Sequence, residues 1–227
     1  MPTRDELEIV ALSLKVAFWG VAVSLPVAVA AAFVLARKRF PGKTLFDAAV
    51  HLPLVLPPVV VGFGLLALFG RHGPLGRVLE PLGIVFAFRW TGAALAAAIM
   101  GFPLMVRAIR LAIDTVDTRL ESAARTLGAR RTRVFFTVTL PLAWPGLVTG
   151  ALLAFARALG EFGATITFVS NIPGETQTLP LAIYTFTQVP GAEAPALRLS
   201  ILSVLLSLGA LALSEGLARR RGIARDA

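Results

Sequence analysis

Arg157 and Glu161 stand four residues apart, one helical turn, within an otherwise apolar stretch. Charges in such a setting are functional or hold each other. The i, i+4 spacing suits a mutual ion pair, whereas a free cation at that point would compensate a passing anion. Asp114, Asp117 and Glu121 form a second acidic group, but Arg110, Arg119 and Arg125 are interleaved with them, which points to surface ion pairs rather than acid–base catalysis. His51 and His72 are the only histidines and there is no cysteine, so a protein metal cage, a disulfide and a thiol nucleophile are disfavoured together. Gly42-Lys43-Thr44 has the last residues of a phosphate loop, yet the glycine required five positions earlier is Arg37; it is not a nucleotide site. No Gly-x-Ser-x-Gly element is present, and no catalytic residue, metal ligand or bound cofactor is expected of this chain.

The elements that must position these residues follow from composition. Charged residues make up 15% of the 227, against roughly 25% in soluble domains, and the mean hydropathy is +0.79. About 20 apolar residues cross some 30 Å of hydrocarbon, and five stretches qualify: 9–36, 45–69, 91–113, 138–159 and 196–218. The expected fold class is an all-α integral membrane protein, one domain over residues 1–227. The net charge of +9 is unevenly spread: 15 Lys and Arg fall in the loop 37–43, the segment 107–133 and the tail, against five on the other side. The positive-inside rule puts the N-terminus outside and the C-terminus in the cytoplasm. A nucleic-acid binder is excluded because the charge alternates with long apolar segments instead of lining one face. The N-terminus lacks a basic region and a small-residue cleavage site, so the first span is expected to stay in the mature protein. Lys15 is expected to snorkel to the outer interface.

Local chemistry shapes these spans. Pro53, Pro57 and Pro58 remove three backbone donors near the start of span two and predict a break there. Carbonyls freed in hydrocarbon must be satisfied by neighbouring helices or line a wet cavity. Pro57 and Pro58, with Arg157, Gly160, Glu161 and Gly163 around the end of span four, are candidates for lining or gating a pathway; a proline kink that only improves packing is the equal alternative. Gly146 and Gly150 are four apart and predict a close helix approach, at a dimer seam or within one subunit. The stretch 160–195 is too polar and irregular to lie in lipid, and is expected to form short helices, a re-entrant element or a partner surface. In the segment 117–133, Asp117 or Thr118 is an N-cap, Glu121 sits in the first turn and Gly128 closes a short helix. Its Leu120, Ala123, Ala124 and Leu127 share one apolar face suited to docking in a groove.

Ala123-Ala124, then Gly128, Val138 and Leu140-Pro141 in that spacing resemble the cytoplasmic coupling motif of permease subunits in binding-protein-dependent ABC importers. The family usually has Glu directly before the alanine pair; here Ser122 is there and Glu121 stands one position earlier. Residues 155–176 and 52–66 resemble the molybdate permeases, within an oxyanion group that includes sulfate and thiosulfate permeases. The likeness implies the ABC importer permease fold in a bacterial cytoplasmic (inner) membrane. It also implies a homodimer of permeases, two cytoplasmic ATP-binding subunits carrying ATP and magnesium, and an external oxyanion-binding protein. Glu121, Ala123, Ala124, Gly128, Leu140 and Pro141 would couple the ATPases to the spans. A sulfate or tungstate permease is the nearest alternative, and a passive channel a more remote one that leaves the 117–133 helix without a purpose.

Overall fold

A computed structural model describes residues 3–223 and, in the last helix, a continuous run of side chains as far as Ala210. The side chains of Arg219, Arg220 and Arg221, and the whole of Arg225, from the basic tail lie outside the described residues. Helix α1 (Arg4–Arg37) begins with a capping box: Thr3 Oγ1 accepts from the Glu6 N–H, and the Glu6 carboxylate accepts from the Thr3 N–H at 2.9 Å. This satisfies two of the donors that a helix start leaves free. Glu6 is buried, and its carboxylate also takes two Arg198 donors at 2.7 and 3.0 Å, which fastens α1 to the last helix.

The expected second span is a pair, α2 (Lys43–Val55) and α3 (Pro58–Phe69), bent by 111° at Leu56-Pro57. The break falls where two adjacent prolines have no N–H to donate. A 6-residue helix α4 (Pro74–Leu79) and a 3₁₀ turn lead to α5 (Trp90–Asp114). After it come α6 (Thr118–Thr126) and α7 (Arg131–Val134). A π-helical turn, Phe135–Thr139, joins α7 to α8 (Leu140–Leu159), so this span extends from Arg131 rather than from Val138. The Leu140 N–H reaches back five residues to Phe135, and the adjacent Pro141 cannot restore the regular bond. The stretch after α8 folds into α9 (Gly163–Val169) and α10 (Leu179–Thr187), and α11 (Glu193–Ile223) completes the chain. Among the described residues, four helices are long and apolar enough to cross a membrane: α1, α5, the α7–α8 rod and α11. A fifth crossing requires the bent α2–α3 pair to act as one span.

Helix α5 is the central post. Gly20 of α1 lies against Ala94 and Ala97 of α5, and further along Ala32 and Leu35 pack with Ile109 and Ile113; the two helices therefore run in the same direction. Helix α8 runs against α5, with Ala154 at Gly101, Gly150 at Met105 and Gly146 at Ala112. Lipid tails are as apolar as leucine, so helices in a bilayer are held by close backbone approach through small residues rather than by the hydrophobic effect. The seams are accordingly alanine-rich: Ala17, Ala28, Ala32, Ala93, Ala96, Ala143 and Ala164 are fully buried, while Phe18, Val27, Phe63 and Leu205 face outward. Lys15 is exposed. Its ammonium lies 3.7 Å from the centre of the Trp90 ring, because the parallel α1 and α5 bring the indole face to it; this is a cation–π contact.

The Gly146–Gly150 pair lies inside the subunit, since a Cβ at Gly146 would overlap the Ala112 methyl. Gly146→Leu is therefore expected to lower stability by about 1–3 kcal/mol through overpacking, read as a lower thermal midpoint in detergent. An unchanged midpoint together with a lost dimer would place the glycine pair at a subunit seam instead.

Candidate functional site

Two clusters gather the residues singled out in the sequence. The first surrounds the ends of broken helices. Because Ala154 is level with Gly101, α8 ends about 9 Å short of the Trp90 end of α5. There the chain stops at Gly160 and restarts as α9 at Gly163. Glu161, only 2% exposed, lies in this gap. One carboxylate oxygen accepts from the Ala164 N–H at 2.8 Å, and the other pairs with the Arg157 guanidinium at 2.6 Å. Glu161 thus supplies the acceptor that the start of α9 lacks, and a carboxylate there is also favoured by the helix dipole. Its buried charge needs a counter-ion, and Arg157 provides one while remaining partly exposed.

The start of α3 meets the start of α9 at the same place. A Cβ on Gly163 would fall 2.8 Å from that of Pro58, and Gly62 lies against the Ala164 backbone. Two half-helices therefore run side by side, from Pro58 beside Gly163 to Phe69 near Phe168. Pro58, Gly163, Arg157 and Glu161 are brought together, with Pro57 and Gly160 as the flanking residues at which α3 and α8 give way. Gly62 and Ala164 belong to the contact but went unmarked in the sequence. A glycine within a span is too common to single out, and only the crossing partner gives it meaning.

The second cluster lies on the arginine-rich face. Asp117 caps α6 by accepting from the Arg119 N–H at 2.8 Å, and Gly128 closes it at φ +86°, in the left-handed region that favours glycine. The apolar face of α6 stands free in the chain: Leu120 is 50% and Leu127 89% exposed, with Ala123 exposed and Ala124 half-buried between them. The other side of the helix is tied down. Glu121 pairs with Arg37 at the end of α1 at 3.1 Å and accepts from Thr139 Oγ1 at 3.0 Å, while Arg37 also donates to the Val116 carbonyl at 2.8 Å. Leu140 and Pro141 begin α8 directly after Thr139. Helix α6 is thereby joined to the ends of α1 and α8 through half-buried charge-assisted hydrogen bonds, the strong kind. Arg37 carried no sign of this role in the sequence, because nothing local ties it to a carboxylate 84 positions away. Thr139, a polar residue just before Leu140-Pro141 in an apolar run, was the one available signal. The other acids behave as surface groups: Asp114 lies 3.8 Å from Arg110, and Asp47 3.1 Å from Arg110 and 3.3 Å from His51.

The two clusters sit at opposite ends of α8, a rod about 30 Å long. One helix therefore connects α6 with the gap at Gly160.

The model of the binding-protein-dependent transport system inner membrane component family matches residues 24–223. The chain is 61% identical over 218 residues to a molybdenum transport system permease protein, ModB, of Escherichia coli strain K12, covering 96% of this chain and 95% of the relative. It is 55% identical over 216 residues to the protein of that name from Haemophilus influenzae, covering 95% and 94%. Among solved structures, a bacterial alginate ABC transporter in complex with a pentasaccharide-bound periplasmic protein aligns at a TM-score of 0.74 and 16% identity, over 96% of this chain and 80% of the other. That likeness bears on the fold alone.

Arg157→Met is expected to cost about 3–5 kcal/mol, since it leaves Glu161 buried and uncompensated. The double variant Arg157→Met/Glu161→Gln, which keeps an oxygen for the Ala164 N–H, is expected to recover most of that loss. Yield of folded protein after detergent extraction and its thermal midpoint measure both; a double variant no better than the single one would refute the pairing.

Proposed function

The chain belongs to the binding-protein-dependent transport system inner membrane components, and on that premise we propose that it is the membrane-spanning permease of an importer that carries molybdate, and tungstate with it, into the cytoplasm. The substrate rests on one observation, 61% identity along almost the whole chain to a molybdenum permease. The permease forms a homodimer in the inner membrane. It receives the oxyanion from an external binding protein and is driven by two ATP-binding subunits that hold ATP and magnesium. It performs no covalent chemistry. The N-terminus faces outward and the arginine-rich face, with α6, lies in the cytoplasm, in agreement with the charge asymmetry.

The geometry supports a specific route for the work. The exposed Leu120-Ala123-Ala124-Leu127 face of α6 docks into a groove on the ATP-binding subunit. Glu121 hands its displacement to α1 through Arg37 and to α8 through Thr139. At the far end of α8, the α3–α9 contact at Pro58 and Gly163 separates and closes as a gate, with Arg157 and Glu161 beside the path. ATP and the loaded binding protein favour different packings of these seams, and alternating access is the shift between them. A conduit needs weak sites if the anion is to leave, so tight selection of the oxyanion belongs to the binding protein.

ATP hydrolysis by the complex reconstituted in liposomes, with molybdate, tungstate or sulfate outside, tests the substrate. Stimulation by molybdate and tungstate is expected; stimulation by sulfate alone would move the substrate within the same class. An Ala124→Glu variant is expected to insert normally yet to lose most stimulated transport. Undiminished transport by inserted Ala124→Glu would remove α6 from the coupling route.

A further inference from the structure

A cavity of about 630 Å³ opens between the end of α1, the inner side of α6 and the base of α8, within the range of small-molecule sites. Its lining is divided by chemistry. Arg37, Lys38, Arg125 and Arg131 form one wall, and Phe33 and Phe136 belong to the apolar other. Arg37 is neutralised by Glu121, but among the described residues Lys38, Arg125 and Arg131 have no carboxylate within ion-pair distance. Phe136 is 64% exposed and stands on the π turn where the span leaves the arginine-rich face. The residues of α6 that line the cavity, Thr118, Glu121 and Arg125, repeat every three to four positions and lie away from the Leu120-Ala124-Leu127 face. An occupant would therefore not compete with a protein docked on that face.

We infer that this cavity binds the headgroup phosphate of an anionic phospholipid, with an acyl chain lying along the phenylalanine wall. A free oxyanion would be drawn by the same cations but would gain nothing from Phe33 and Phe136, whereas a phospholipid matches both walls and is present at the membrane surface. Basic pockets between spans at the cytoplasmic surface are suited to such headgroups. The bound phosphate bridges Lys38 after α1, Arg125 on α6 and Arg131 on α7, and so steadies the α6 hinge from the side that faces the membrane. The inference goes beyond the identity of the transported anion and does not depend on it.

The test is a titration of the purified full-length chain, in its assembly, with phosphatidylglycerol and with phosphatidylcholine, reading bound lipid by native mass spectrometry. Phosphatidylglycerol is expected to bind preferentially. Each cation in direct contact with the headgroup phosphate is worth about fivefold in affinity, so Lys38→Gln/Arg131→Gln is expected to weaken binding roughly 30-fold. The charge-matched pair Arg39→Gln/Arg133→Gln, outside the cavity lining, is expected to leave it nearly unchanged. Lys38→Arg/Arg131→Lys is expected to retain it, which separates loss of charge from loss of folding. Equal losses in both glutamine pairs would reduce the effect to general surface charge. Loss in neither pair would overturn the site, and displacement of the lipid by excess inorganic phosphate or molybdate would overturn the lipid in favour of a free anion.

Discussion

Hydrocarbon offers no hydrogen-bond partner, so a helix that stops within the bilayer must be completed by the protein itself. Among the described residues, apolar helices break at Leu56-Pro57 and at Gly160–Phe162, and the chain sets the two breaks against each other. Pro57 and Pro58 have no N–H, so α3 starts with fewer donors to satisfy. Helix α9 starts with the Ala164 N–H on the Glu161 carboxylate. A buried carboxylate requires a cation, which is Arg157 one turn earlier, and the closeness of the two half-helices requires that Gly62 and Gly163 carry no side chain. The whole gap thus follows from one obligation.

The seams around it are held differently from those of a soluble protein. Small residues let α1, α5 and α8 approach backbone to backbone, and the energy is dispersion between near-flat surfaces. Such surfaces interlock less than a core of large side chains, which suits helices that shift between discrete packings. What pins one arrangement is a small number of polar contacts: Glu6 with Arg198 at one end of α1, and Arg37 with Glu121 and Thr139 at the other. Ser13 adds another by accepting from the Leu179 N–H at 2.7 Å and holding α10 to α1. The charged contact on the arginine-rich face fastens α6, a short helix whose apolar Leu120 and Leu127 are exposed, to the ends of α1 and α8.

Much of this architecture was legible in the sequence because its causes are local. The apolar stretches, the one-sided arginines, the break at Pro57-Pro58, the Asp117 cap and the turn at Gly128 each depend on a few neighbouring residues and on the thickness of a bilayer. The spacing of Arg157 and Glu161 likewise favoured their pairing, although it left a free cation as the alternative. Tertiary structure alone decided the partners: Arg37 for Glu121, Trp90 for Lys15, Ala112 rather than a second subunit for Gly146, and the meeting of Pro58 with Gly163. Backbone rules and periodicity state what each segment must bury or satisfy, but the group that meets the need is chosen by which helices lie side by side, and that is a property of the packing of the whole chain.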